Sequence, residues 1–278
     1  MGISVIVLTF NSEDVIADTL AAAAQVSDDL HVVDSFSTDR TVEIARAAGA
    51  TVVQRPFANY SDQRNWAMAN LPSHHPWQLH LDADEILSAA LIAEIKNLDG
   101  HWPDGIDGFF IPRLTRFLGR DLWHGGYFPT YHMRLFRKGC AEAEDRKYDQ
   151  HFVLKGRGRE LSGHLIDDHR MTIGEWTQRH NRWADLEAED VMQSGSGVTI
   201  RADARGNPIE RARARKVSYY RKPIFLRAFM LFSYRFFFRG GFRDGLPGLI
   251  YCFLQSGWSR FLVDAKIYER KLKARAPK

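Results

Sequence analysis

Three carboxylates, Asp82, Asp84 and Glu85, fall within four positions at the end of the apolar run Trp77 to Leu81. Like charges so close repel one another and resist burial unless a positive group sits between them. Hard Mg²⁺ or Mn²⁺ takes carboxylate oxygens and keeps positions open for water or phosphate oxygens. The chemistry this spacing suits is a metal–diphosphate site at the carboxyl end of a strand. A plainer reading makes Asp82 to Glu85 the cap of the helix expected over Leu87 to Leu98, where acidic groups are mildly favourable through the helix dipole.

The elements that must position these groups alternate. Ile3 to Leu8, Leu30 to Val33, Thr51 to Gln54 and Trp77 to Leu81 read as short strands, the first a β-branched run of the kind buried on both faces. Between them lie helical patterns: Glu13 to Ala24 behind Ser12, a helix through Ala48 capped by Thr38 or Asp39 with Gly49 after it, and Ser61 to Asn70. Such alternation gives an α/β fold with a doubly wound, mostly parallel sheet, and ligands sit at the carboxyl ends of its strands. Polar groups gather at three of those ends: Thr9, Asn11 and Glu13; Asp34 to Asp39; and Asp82 with Asp84. Turns and caps explain each cluster alone, but not their coincidence on one rim. No Gly-x-x-x-x-Gly-Lys or Gly-x-Gly-x-x-Gly is present, so a P-loop or dinucleotide fold is disfavoured.

The chain of 278 residues is 45% apolar, enough for one large domain or a domain with an appendage. Its two cysteines, Cys140 and Cys252, make no disulfide framework, which suits a reducing compartment. Ile3 to Leu8 lacks a basic leader and reads as a strand, not a signal peptide. The net charge of +4 hides an asymmetry: residues 201–278 carry 19 basic and 5 acidic residues, a net of +14. That third should meet an anionic surface. Pro223 to Phe238 interleaves aromatics with Arg227 and Arg235, and Gly245 to Ser259 runs fifteen residues without charge. Spanning a bilayer takes about 20, so helices lying in the interface are expected instead.

Ser4-Val-Ile-Val-Leu-Thr-Phe-Asn11, Val32-Val-Asp-Ser-Phe-Ser-Thr-Asp-Arg-Thr41, Gln63-Arg64-Asn65 and Leu81-Asp-Ala-Asp-Glu85 together resemble the family 2 glycosyltransferases of GT-A fold. Leu118-Gly-Arg120, His124-Gly-Gly126, Arg134-Leu-Phe-Arg137, Tyr148-Asp-Gln-His-Phe152 and Gly240 to Gly245 are similar to the subgroup that builds bacterial lipopolysaccharide core and exopolysaccharide. Where core glucosyltransferases often show Val-His-Glu, this chain has Tyr148-Asp149-Gln150, and its Gln178 to Arg182-Trp183 is one residue too long for the processive Gln-x-x-Arg-Trp pattern. The resemblance implies inverting, metal-dependent transfer of a single sugar from a nucleotide diphosphate, UDP-hexose first, to a lipid-linked or envelope polysaccharide acceptor.

It further implies Mg²⁺ or Mn²⁺ on Asp84, and donor contacts from Thr9, Asn11, Asp34, Asp39, Arg64 and Asp82. Asp149, or else Asp145, would be the general base, with His180 and Arg182 as further candidates for the diphosphate. Glu85 is expected in the turn after the motif. The expected layout is a catalytic domain over 1–200, with a nucleotide half at 1–100 and an acceptor half at 101–200, followed by a basic, aromatic helical region at 201–278. That region would hold the enzyme peripherally on the cytoplasmic face of the cell membrane. Two other readings compete. One is a nucleotidyltransferase sharing the nucleotide half, and the other a non-enzymatic polyanion binder driven by the tail; nucleic acid is not the expected partner.

Overall fold

The computed structural model describes residues 2–146, 149–192 and 200–275. The chain falls into two compact units. The first holds Met1–Arg116, Pro129–Glu144 and Gln150–Arg170; the second holds Phe117–Phe128, Asp145–Asp149 and Met171–Lys278. The helix after Arg170 belongs to the second unit, where it packs with the basic helices.

In the first unit, β1 (Ile3–Thr9), β2 (Asp29–Asp34), β3 (Thr51–Gln54) and β4 (Trp77–Asp82) are parallel neighbours in the order β3-β2-β1-β4. Side chains alternate across the sheet as the two-residue period requires. Ile3, Val5 and Val7 join a core with α1 (Ile16–Ala23), Ala45 of α2 (Thr41–Ala47) and α4 (Ala89–Leu98). Ile6, Leu8 and Val33 pack instead with Ala67 and Leu71 at α3 (Tyr60–Asn70). Caps fix two helix starts: Asn59 accepts from the Asp62 amide at 2.9 Å and Ser88 from the Leu91 amide at 3.2 Å. Ser12 does not cap α1; its hydroxyl bonds the Phe10 carbonyl, and α1 starts later than expected.

The sheet continues with β5 (Glu85–Leu87), β6 (Gly108–Phe117), β8 (Thr130–Arg137) and β12 (Leu165–Asp168), in the order β4-β8-β6-β12-β5. The short β7 (Arg120–Asp121) falls between β6 and β8 in sequence. β11 (Gly158–Glu160) runs parallel to β6, and β9 (Ala141–Ala143) pairs with β10 (Phe152–Leu154) apart from the main sheet. β8 is antiparallel to both β4 and β6, while β12 is parallel to β6. Glu85 therefore sits in a strand, antiparallel to β12, and not in a turn or helix cap. Burial decides the matter, since Glu85 is fully enclosed. Glu94 on α4 accepts from the Ser162 and Gly163 amides at 3.0 and 2.7 Å, fixing the approach to β12.

The second unit is helical: α5 (Ile173–Met192), α6 (Pro208–Tyr220), α7 (Leu226–Ser233), α8 (Gly245–Cys252) and α9 (Ser259–Arg275). Tyr234–Phe238 and Phe253–Trp258 continue α7 and α8 as π-helical turns. Ala184 and Ala188 of α5 pack on Val263 and Ile267 of α9. Glu187, nearly fully buried, accepts from Tyr220 (2.7 Å) and Arg260 (2.8 Å) and pairs with Lys216 (2.9 Å). Burial opposes its ionisation, but Arg260 and Lys216 hold the carboxyl down at about 2 against an ordinary 4.5. A depressed folded pKa contributes stability that is complete above the unfolded pKa and lost as pH falls through the folded one. Acid titration followed by tryptophan fluorescence should thus be flatter between pH 4.5 and 2 for Glu187→Gln than for the wild type. Parallel curves would exclude this group as the acid-sensitive element.

Candidate active site at the strand ends of the first unit

The loops after β1 and β2 are stitched together by side chains bonding backbone. Asn11 accepts from the Thr38 amide at 2.9 Å, and its own amide donates to Ser37 Oγ at 2.8 Å. Asp39 accepts from the Glu13 and Thr41 amides at 3.1 and 3.0 Å, while Glu13 accepts from the Arg40 amide. Burial works against Asp39 ionising, yet its bonds from Thr41 and Glu13 hold the carboxyl below the usual range. Asp34 is fully buried and accepts from the Ser37 amide and hydroxyl and from Gln54 Nε2. These three bonds hold the loop after β2 against β3. Thr9 Oγ1 is buried with no partner among the described residues. Phe10 and Phe36 stand exposed on these same two loops, and both Asn11 and Phe36 hold a positive φ (46° and 63°). Left-handed backbone is costly for a bulky residue such as Phe and is concentrated at functional sites.

Beside them runs a chain of alternating charge. Arg64 Nη2 donates to Asp82 at 3.0 Å, and Arg134 Nη2 donates to both Asp82 and Glu85 at 2.6 Å. Arg113 lies 3.5 Å from Glu85 and 3.4 Å from Asp167. His169 closes the series, with Nε2 3.2 Å from Asp167 and Nδ1 3.0 Å from Asp84. Four carboxylates thus alternate with three guanidiniums and an imidazole. Burial raises the Glu85 carboxyl, with Arg134 pulling the other way. For Asp82 the balance reverses: burial is overcome by Arg134 and Arg64, and the carboxyl lies well below the usual range. Burial alone would lower His169, but Asp167 and Asp84 push it up to about 10.

The middle of this series and its ends differ in access. Glu85 is fully enclosed and Asp167 is 4% exposed, whereas Asp82 and Asp84 are 29% and 26% exposed. The two carboxylates of the Asp-x-Asp motif are therefore the open ones. Ligand atoms of Asp84, Asp167 and His169 all lie within 4.8 Å of one another. Two carboxylates and an imidazole form a donor set that fits Mg²⁺ or Mn²⁺, and a cation here would take the place of the imidazolium proton. Register brings the groups together: the Asp168 amide donates to the Asp84 carbonyl at 2.9 Å, so the end of β12 meets the turn between β4 and β5.

Of the residues read from sequence, Thr9, Asn11, Asp34, Asp39, Arg64, Asp82 and Asp84 all lie in this unit at strand ends or, for Arg64, on α3. Arg64 is spent on Asp82 inside the network. Asp145 and Asp149 belong to the second unit. Asp149 has φ 57° and accepts from Lys216 Nζ at 3.0 Å, with Arg213 Nη1 at 3.5 Å. Asp145 is exposed, and Tyr148 of the same motif lies outside the described residues. His180 is buried and stacked on Trp176 at 3.4 Å, and burial lowers it to about 4. A neutral core imidazole is a poor diphosphate contact. Arg113, Arg134, Asp167 and His169 were given no role from sequence. The available signal was Leu165-Ile-Asp-Asp-His169, a second apolar strand ending in acids.

A family model described as glycosyl transferase family 2 matches residues 4–145. A glycosyltransferase of Rickettsia felis is 38% identical over 98% of this chain and 92% of its own length. A lipopolysaccharide core biosynthesis glycosyltransferase of Rhizobium meliloti is 26% identical over 99% of this chain and 95% of its own. Among solved structures, a mannosyltransferase of Pyrobaculum calidifontis, in complex with GDP-mannose and Mn²⁺, aligns with TM-score 0.53 and 13% identity, covering 99% of this chain and 88% of that one. That likeness concerns the fold, a curled, mostly parallel α/β sheet of GT-A type.

Proposed function

The chain belongs to glycosyltransferase family 2, and from that premise we propose that it transfers one sugar from a nucleotide diphosphate, with inversion, to a lipid-linked or envelope polysaccharide acceptor. The observation that carries this reading is the paired opening of Asp82 and Asp84 beside His169, next to the Asn11–Asp34–Asp39 loops. Asp34 anchors the loop that would meet the base or ribose, and Thr9 Oγ1 has no partner among the described residues. The exposed rings of Phe10 and Phe36 offer faces on which a base can stack. Asp84, Asp167 and His169 would hold the cation. When bound, it supplies Lewis-acid stabilisation of charge on the departing diphosphate. Asp82, fixed between Arg64 and Arg134, is a rigid acceptor for a ribose hydroxyl or a water. UDP-hexose is the first donor to assay. The likeness to a core-biosynthesis enzyme supports an envelope glycolipid acceptor.

An acceptor hydroxyl must lose its proton, and we assign that step to Asp149, with Asp145 as the alternative. Lys216 Nζ and Arg213 Nη1 lie 3.0 and 3.5 Å from Asp149 Oδ2 and fix the direction of its carboxyl group. Asp149→Asn is expected to lower transfer by about 10²-fold or more while donor affinity by calorimetry stays unchanged. Full turnover in that variant moves the role to Asp145. The wider test is a panel of sugar nucleotides incubated with envelope glycolipid, with and without Mn²⁺. Metal-dependent release of nucleoside diphosphate supports the reading; release of pyrophosphate would assign nucleotidyl transfer instead.

A further inference from the structure

The solvent side of α7 and its π-helical continuation is apolar at helical spacing. Leu226, Phe229, Met230, Tyr234, Phe237 and Phe238 follow one stripe, and all are exposed, Phe238 by 81%. The buried side of the same segment carries Arg227 and Ala228. This inverts the usual order of a surface helix, whose apolar stripe faces the core. Leu246 (67% exposed), Leu249 and Phe253 repeat the pattern on α8 and beyond. The two stripes are bridged by half-buried rings: the centroid of Phe232 lies 6.1 Å from that of Phe253, and Phe236 lies 6.1 Å from Phe242. A contiguous exposed apolar patch marks an interaction surface.

Charge around the patch selects its occupant. Residues 221–268 contain two acidic side chains, Asp244 and Asp264. Both are buried: Asp244 accepts from the His124 amide and pairs with its ring, and Asp264 accepts from Arg227. The exposed charges of that segment are then all positive: Arg221, Lys222, Arg239 and Arg243. A second copy of the chain seated on this face by two-fold symmetry would set cation against cation. No helix among the described residues is long and apolar enough to cross a membrane.

We propose that this face docks on an anionic lipid surface, its aromatic and aliphatic side chains entering the interface while the flanking arginines meet lipid headgroups. The proposal rests on the second unit alone and does not depend on the sugar-transfer reading.

The test is flotation of the full chain with vesicles of phosphatidylcholine alone or mixed with phosphatidylglycerol. At about 1 kcal/mol per basic residue near the surface, wild type should bind the anionic vesicles at least about 10-fold more tightly, and less so as salt rises. Arg239→Gln with Arg243→Gln should erase most of that preference. Phe238→Ser with Leu246→Ser should weaken binding to anionic vesicles with unchanged circular dichroism and unchanged donor hydrolysis in solution. Equal flotation with both vesicle types, or none with either, would overturn the proposal. So would a dimer by light scattering that Phe238→Ser dissociates.

Discussion

Asp84→Asn is expected to lower sugar transfer by about 10³-fold, the scale of losing one preorganised group that stabilises developing charge. The substitution keeps shape and volume, and the Asp84 carbonyl that accepts from the Asp168 amide is untouched. What it removes is a charged oxygen 3.0 Å from His169, at the partly exposed end of the network. Without that charge a cation held there would lose a ligand, and a departing diphosphate would meet the remaining carboxylates with less compensation. His169→Ala should fall into the same range. The double variant should be little worse than either single one, because groups acting as one unit are not additive. Measured as kcat with saturating sugar nucleotide and Mn²⁺, a loss below a few-fold would remove Asp84 from the leaving-group side of the reaction.

Arg134→Met is expected to cost about 3–5 kcal/mol of stability, the scale of breaking a buried ion pair from one side. Arg134 is 4% exposed and donates at 2.6 Å to both Asp82 and Glu85. Glu85 has no exposure at all. Its remaining cation, Arg113, stands 3.5 Å away and is shared with Asp167. Removing Arg134 leaves a buried carboxylate that must protonate or unfold its surroundings. Glu85→Gln in the Arg134→Met background should recover part of the loss, since it removes the stranded charge. Urea denaturation of each variant reads both numbers. A cost under 1 kcal/mol for Arg134→Met would mean that water reaches Glu85.

The nucleotide half was legible from sequence because its strands are short, mostly apolar runs alternating with helical patterns, and its loops are short. β3 matches its expected bounds, and β1, β2 and β4 differ from theirs by a residue or so at their ends. The Asp-x-Asp motif was legible for the same reason: an apolar strand ending in acids has few structural uses. Its supporting cast was not. Glu85 read as a turn residue because three acids within four positions look solvated, and only the arrival of Arg134 from β8 and Arg113 from β6 makes burial possible. Those partners are 49 and 28 positions away in sequence, and no local pattern announces them. His169 was hidden likewise, just past β12, which is brought to Asp84 by antiparallel pairing with β5. His180 was overvalued: a histidine among arginines on a helix looks like a phosphate contact, but its place on the helix points it at Trp176 and the core. In the tail, composition announced an apolar and basic region. That its apolar residues face outward while its acids turn inward required the packing of α5 on α9.

One site in the first unit, at the strand ends, is proposed to hold both a divalent cation and a nucleoside diphosphate. The direct measurement is Mn²⁺ titration of the full chain by electron paramagnetic resonance, with and without UDP. One Mn²⁺ per chain is expected, bound more tightly when UDP is present, and lost in Asp84→Asn and His169→Ala. Mn²⁺ binding that is absent with UDP in the wild type, or unchanged in both variants, would contradict it.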